Sequence, residues 1–357
     1  MRHSADRTVL SAISGARRLR RAKKIRRILF NSGCRAAGRT TAEDIAENCS
    51  YLRSKGENSC VGRRAPLHRE SLQHRARDVF PTLVQTLDPA ADPAALAPHV
   101  EAVLRDAGRI ALSYFRPGRA TVAEVTHKQG GSPVTSADLR VDAFLKEHLA
   151  RLAPDFGWLS EETADTPQRL GRECVFIVDP IDGTRGFAAG DPCFAICAAV
   201  VVAGLPALGV VHAPALDQTF VARRGGGATC NGAPISVSSR RELAGARLAA
   251  PDVMAADLRR AGLVFEEKPR LPSLAMRLLR VAEGALDGAL ANKNACDWDI
   301  AAADVILREA GGVLTDFAGQ APRYNRADPT HPALAAAPPG LQDDLIAAAR
   351  GGKSSNR

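Results

Sequence analysis

The stretch "VFIVDPIDGTRGF", Val175 to Phe187, ends an apolar run on two aspartates, a glycine and a threonine. Asp179 and Asp182 are separated by Pro180 and Ile181, so two side chains and one backbone carbonyl can reach the same spot. Hard cations such as Mg²⁺ take oxygens from a rigid frame and keep positions for water and phosphate. The matching chemistry is two-metal phosphoryl transfer, in which one ion lowers the pKa of water and the other steadies the leaving oxygen. Aspartates also cap helices and make Asp-Gly turns, which would leave these residues structural. Three other acidic signals at similar turns or helix starts favour the chemical reading. They are Glu161 and Glu162 in "LSEET", Asp138 in "TSAD", and Asp297 and Asp299 in "CDWDIAAAD".

Other chemistries lack their residues. No GxSxG occurs, and the cysteines sit in no phosphatase loop. "RRGGGATCNG" is glycine-rich, but no GK[ST] follows it, and its strand-to-strand setting reads as a hairpin. Of the eight cysteines, Cys193 and Cys197 share a face of an apolar run and read as small buried hydrophobes. Without CxxC or a Cys/His ladder, the set fits a reducing cytoplasm. No apolar run is long enough to span a membrane.

The elements that must position the acids can be read from periodicity. Asp92 and Pro93 suggest an N-cap and first-turn proline for a helix with Val100, Val103, Leu104, Ala107, Ala111, Tyr114 and Phe115 on one stripe, ended by "RPG". "TVAEVTHK" alternates as a strand, and Ser136 is the expected cap of a second helix with Val141, Phe144, Leu145, His148 and Leu149 inward. "ECVFIVD" reads as a buried strand, and "CFAICAAVVVAGLPALGVVHAP" as two more joined at Gly204 to Pro206. Further on, "IAAADVILREAGG" is a helix closed by Gly311 and Gly312, before a strand "VLTDF". The expected class is mixed α/β, with helices layered against sheets and no internal repeat.

The formal charge of +9 resides at one end of the chain. Residues 1 to 80 hold 19 Lys/Arg against 7 Asp/Glu, leaving 29 against 32 for the remainder of the totals 48 and 39. The basic stretch "GARRLRRAKKIRRILF" admits an arm for nucleic acid, an Arg-rich targeting peptide, or translation from upstream of the true start. The favoured reading is an extension over residues 1 to 90 that is disordered or a start-site artefact. Met254 is the first methionine after Met1, so a later start would need a non-Met codon, for instance at Val79. The segment lacks interleaved aromatics or an RNA module, which argues against a nucleic-acid partner. The folded domain is expected at 91 to 350, in halves 91 to 240 and 241 to 350, with a flexible tail at 351 to 357.

"DPIDGTRGF", with "SEE" upstream and "WDIAAAD" and "EAGG" downstream, resembles the inositol monophosphatase superfamily of magnesium-dependent, lithium-sensitive phosphatases. The likeness runs from about residue 95 to 345 and implies the layered fold shared with fructose-1,6-bisphosphatases. It implies two or three Mg²⁺ ions held by Glu161, Asp179, the carbonyl of Ile181, Asp182 and Asp299. Glu161 would also help orient the attacking water, which Thr184 and Asp138 would activate, while the amides of Gly183 and Thr184 would receive the phosphate. Glu162 and Asp297 have weaker claims to direct contact. With every expected metal carboxylate present, a degenerate scaffold is a poor reading.

Members of that family cleave inositol monophosphates, 3'-phosphoadenosine 5'-phosphate (PAP), fructose 1,6-bisphosphate or histidinol phosphate. In inositol monophosphatases an acid seven positions before the "WD" aspartate contacts substrate hydroxyls; here Asn292 stands there, an amide that can still hydrogen-bond a hydroxyl. The helix "SLAMRLLRVAEGALDGAL" resembles the stretch of 3'(2'),5'-bisphosphate nucleotidases that carries a serine and a cation for the second phosphate, at Ser273 and Arg277 here. Arginine suits bidentate phosphate binding, although a solvent-facing helical arginine would look the same. The preferred substrate is PAP, with inositol 1-phosphate as the alternative and an RNA- or protein-binding role as a third. Dimers are common in the resembling family, so a homodimer is an open expectation.

Overall fold

The computed structural model describes residues 92–351, residues 129 and 130 excepted; the basic N-terminal segment and most of the expected tail lie outside them. Gly351 is the exception in the tail, since it closes the last helix. Helix α1 (Ala97–Tyr114) buries Val100, Leu104, Ala107 and Ala111. Asp92 and Pro93 do not begin it. Pro93–Leu96 is a 3-10 turn and Leu96 is the N-cap, because Pro98 supplies the fixed φ of the helical first turn. A hairpin of β1 (Val125–His127) and β2 (Pro133–Thr135) leads to helix α2 (Ser136–Leu152), which turns Val141, Leu145 and Leu149 inward.

Strand β3 (Gly157–Ser160) lies parallel to β4 (Cys174–Asp182), and a short helix, α3 (Thr184–Ala189), follows β4. Strands β5 (Ala195–Val202), β6 (Leu205–Ala213), β7 (Gln218–Arg223), β8 (Ala228–Cys230) and β9 (Ala233–Pro234) complete an antiparallel run, so the sheet has seven strands in sequence order. The chain then passes through β10 (Arg247–Ala249), α4 (Asp252–Arg260), β11 (Glu266–Glu267), α5 (Leu274–Ala282), β12 (Gly288–Ala291) and β13 (Ala295–Cys296). It ends with α6 (Asp297–Glu309), β14 (Val313–Asp316), β15 (Thr330–His331), β16 (Leu334–Ala337) and α7 (Pro339–Gly351). Five of these strands form the second sheet, in the order β11-β10-β12-β16-β14.

Alternation along the strands builds the layers. Phe176, Val178, Ile196, Ala198 and Val200 face α1 and α2, whereas Val175, Ile177, Cys197, Ala199 and Val201 face α5 and α6. Ala289, Ala291 and Ala336 of the second sheet share that middle core, and Leu248, Leu290 and Ala335 pack outward on α4 and α7. The result is helices, sheet, helices, sheet, helices. Both faces of β4 and β5 are covered, which explains their unbroken apolar sequence.

Small residues let α6 lie directly on the first sheet. A Cβ added at Gly209 in β6 would come within 2.3 Å of the carbonyl oxygen of Ala302. The far end of α6 is equally tied. Glu309 accepts the amides of Gly225 (2.8 Å) and Gly227 (2.9 Å), so the glycine-rich turn binds an internal carboxylate, in keeping with a hairpin role. Gly311 and Gly312 then close the helix by donating to Arg308 and Leu307.

Candidate active site

In a regular strand, residues three apart point to opposite faces. The β4–β5 ladder breaks that rule, since Asp179 pairs with Cys197 and Asp182 with Ala195, three steps on one strand against two on the other. Pro180, which has no N–H to give a ladder, sits inside this bulge. Asp179 Oδ1 accepts the Ile181 amide at 3.0 Å, which fixes the bent segment. Asp299 joins them from the first turn of α6, in the middle layer. One oxygen from each of Asp179, Asp182 and Asp299 can lie within 4.8 Å of the others.

Asp182 is held by the start of α5. Its Oδ2 accepts the Ser273 hydroxyl (2.5 Å) and the Ala275 amide (2.7 Å), and its Oδ1 the Leu274 amide (3.2 Å). Gly183 allows the approach: its φ is +93°, and a Cβ there would meet the Ser273 amide nitrogen at 3.0 Å. Ser273 also accepts the Met276 amide as N-cap and is 0% exposed. Ser273, expected at the second phosphate, here gives its hydroxyl to Asp182 and to the cap.

Thr184 Oγ1 lies 3.1 Å from Asp138 Oδ1 and 3.0 Å from the Ile181 carbonyl oxygen. Asp138 reaches it from α2, whose cap is Thr135 rather than Ser136. Thr135 donates its amide (2.8 Å) and hydroxyl (2.5 Å) to Asp138 Oδ2, closing a capping box and leaving Oδ1 to Thr184. One turn along, Asp142 accepts Ser160 Oγ (2.5 Å) and Thr163 Oγ1 (2.6 Å), which bracket Glu161 and Glu162. Both glutamates pair with Lys128, at 2.9 and 2.8 Å.

The cluster repels itself. Desolvation, then the charges of Glu161, Asp182 and Asp299, hold Asp179 well above the usual carboxylate range. Asp299 is raised in the same way, first by desolvation and then by Asp182. Burial lifts Asp182 to about 6 against its three hydrogen bonds, and Glu162 to about 7 against Lys128. Asp138 is also raised by burial. For Lys128, burial alone would lower the pKa, but its two glutamates outweigh it and raise it. Oxygen ligands of like charge, two of them buried and Asp299 half-buried, converging on one point, suit a hard divalent cation.

The cluster opens into a cleft of ≈ 530 Å³ lined by Glu161, Gly183, Thr184, Arg277, Asn292 and, among others, three exposed cations, Arg185, Arg270 and Lys293. A sequence model of the inositol monophosphatase family matches residues 92–354. The chain belongs to the inositol monophosphatase family. It is a phosphomonoesterase of that metal-dependent family. It is 35% identical over 235 residues to a histidinol-phosphatase of Chlorobaculum parvum, covering 60% of this chain and 83% of that protein. Inositol monophosphatase 1 of Solanum lycopersicum is 32% identical over 255 residues, 68% of this chain and 92% of the relative. The Thermotoga maritima inositol monophosphatase structure superposes with a TM-score of 0.64 at 28% identity, over 73% of this chain and 98% of that one.

In this inositol monophosphatase family member the structure gathers Asp138, Glu161, Asp179, Ile181, Asp182, Gly183, Thr184 and Asp299 at one end of β4. Asn292 is exposed in the cleft wall. Arg277 also lines the cleft, but it is 3% exposed, and its terminal nitrogens donate to the carbonyls of Leu290 and Leu271, both at 3.2 Å. Burial and the neighbouring Arg270 lower its pKa to about 10. Asp297 turns away from the cluster to His331 and Asn325. Neither motif nor spacing in the sequence points to Lys128, Asp142, Arg270 or His331. Arg185 and Lys293 adjoin Thr184 and Asn292, so their neighbours were the available signal. Among the described residues, no helix is long and apolar enough to cross a membrane.

Proposed function

We propose that the chain is a 3'(2'),5'-bisphosphate nucleotidase hydrolysing PAP, working with Mg²⁺. The observation that carries this reading is the charge of the cleft. Its acids are Glu161, Asp179, Asp182 and Asp299, the expected metal ligands, while Arg185, Arg270, Arg277 and Lys293 supply cations beyond them. Once divalent ions match the carboxylates, the remaining lining favours a polyanion, and a second phosphate gives these cations a partner. Leu271, Pro272 and Leu274 offer apolar surface to a base. Histidinol phosphate, with its amine, would meet like charge.

Asp179, Asp182, Asp299, Glu161 and the Ile181 carbonyl would hold Mg²⁺, which when bound activates water and offsets charge developing on phosphate. Thr184 would accept a proton from the attacking water while passing its own hydroxyl proton to Asp138, which its hydroxyl contacts at 3.1 Å. The raised pKa of Asp138 suits it to keep that proton, and Thr135 stops the carboxyl from rotating away. The amides at the start of α3 would cradle the phosphate being cleaved. Cys174, Cys193, Cys197 and Cys296 are free thiols, which supports a cytoplasmic setting.

A second reading, inositol 1-phosphatase, is favoured by the exposed amide of Asn292 in the cleft and by the name of the Solanum relative. Phosphate release from PAP and inositol 1-phosphate, measured side by side with Mg²⁺ and then with added Li⁺, separates the two. A lithium-sensitive preference for PAP is expected. Preference for inositol 1-phosphate would overturn the nucleotidase reading.

A further inference from the structure

The first turn of α6, which carries Asp299, is pinned by a buried network that lies outside the cleft. Asp297, 0% exposed, accepts the Nε2–H of His331 on one oxygen (2.7 Å) and the Asn325 amide on the other (2.8 Å). Its own amide donates to the Pro329 carbonyl at 2.9 Å. His331 is 4% exposed, and its carbonyl accepts the Asn294 amide at 2.8 Å. The β13–β15 pairing sets Ala295 opposite His331 and Cys296 opposite Thr330. One histidine thus ties together the cleft wall that begins at Asn292 and the start of α6.

The loop that carries His331 is itself fixed. Tyr324 donates its hydroxyl to Asp304 of α6 at 2.9 Å, and Arg169 donates to the Asn325 side chain at 2.8 Å while paired with Asp165. Asp299 uses Oδ2 to accept the Cys296 amide at 2.6 Å, so the lie of the first turn decides where the carboxylate faces. Helix α6 cannot settle this by rolling on the sheet, because Gly209 seats its backbone directly against β6.

We propose that His331 is a positioning residue of the metal site, acting through Asp297 to set the first turn of α6 and hence the presentation of Asp299 to Asp179 and Asp182. The proposal rests on reading the three aspartates as metal ligands. A histidine that only filled space would affect stability and leave the metal affinity of the folded protein alone. One that orients a ligand changes that affinity, by about tenfold or more for direct partners of a ligand and by less for His331, which acts through Asp297.

The test is Mg²⁺ binding to the full chain by calorimetry, without substrate, alongside circular dichroism and thermal unfolding. His331→Leu removes the donor to Asp297, and His331→Gln keeps an N–H. The expected result is a Mg²⁺ Kd raised several-fold, up to about tenfold, in His331→Leu and largely restored in His331→Gln. An unchanged Kd in folded His331→Leu overturns the proposal, as does an equal loss in both variants. Should His331→Leu not fold, Asp297→Asn takes its place, with the same expected rise and the same refuting outcome. Parent protein that binds no Mg²⁺ would instead refute the metal-site reading on which the proposal rests.

Discussion

Replacing Ser273 with alanine removes one fully buried oxygen beside Asp182. The lost atom makes two bonds, donating to Asp182 at 2.5 Å and accepting the Met276 amide at 2.9 Å. Loss of an N-cap costs about 1 kcal/mol, and loss of a hydrogen bond to a charged group about 1.5–3 kcal/mol. Asp182 keeps two backbone donors, from Leu274 and Ala275, so the lower end of the second range applies. A destabilisation of about 2.5 kcal/mol follows, lowering Tm by about 5–10 °C in a domain of this size. The Ser273 bond also draws the Asp182 pKa down from where burial would put it. Ser273→Ala should therefore raise the pKa above the present value of about 6 and weaken Mg²⁺ binding at neutral pH. Scanning calorimetry without metal measures the first effect. The Mg²⁺ dependence of kcat/KM for PAP and for inositol 1-phosphate measures the second, and both substrates should suffer alike. An unchanged Tm with a loss confined to PAP would refute this reasoning and return Ser273 to the second phosphate.

Asp179→Asn should reduce turnover by about two orders of magnitude or more, even at saturating Mg²⁺, because one ligand common to the whole cluster is weakened; near-parental turnover would sink the site assignment. Thr184→Ala should lower kcat by about 10²–10³ with Mg²⁺ binding by calorimetry unchanged, as expected for loss of a proton path alone. Arg270→Ala should raise KM for PAP about tenfold, a change worth about 1.4 kcal/mol, with little effect on inositol 1-phosphate; equal effects would remove the argument from the cleft cations. Burial raises Asp182 to about 6 and Glu162 to about 7, so across this window the folded protein binds more protons than the unfolded one. Metal-free protein should therefore lose stability as pH rises from about 4.5 to about 7, and a Tm that climbs over that range by scanning calorimetry would contradict the sign.

Much of the fold was legible because its causes are local. The α1 stripe, the continuous apolar runs of β4 and β5 and the glycine pair ending α6 each follow from periodicity or backbone freedom over a few residues. Caps were legible only to within a residue or a turn. Ser136 and Thr135 have the same hydroxyl chemistry, and the choice fell to Thr135 because Asp138 reaches its amide and hydroxyl together. Asp92 and Pro93 carry a plausible helix start, but Pro98 lies inside the true first turn.

The sequence by itself singled out the side chains that could do metal-assisted chemistry, since carboxylates at a strand end, with a threonine and a glycine at fixed spacing, suit a hard cation and a phosphate. Only the tertiary structure decided where each points. The bulge at Pro180 puts Asp179 and Asp182 on one side, against the two-residue repeat of a strand. Ser273 became a brace for Asp182 and Asp297 a partner of His331 through contacts across 91 and 34 residues of chain. A hydroxyl or carboxylate has a fixed number of bonds to give, and only the packed neighbours settle whether substrate, metal or protein receives them.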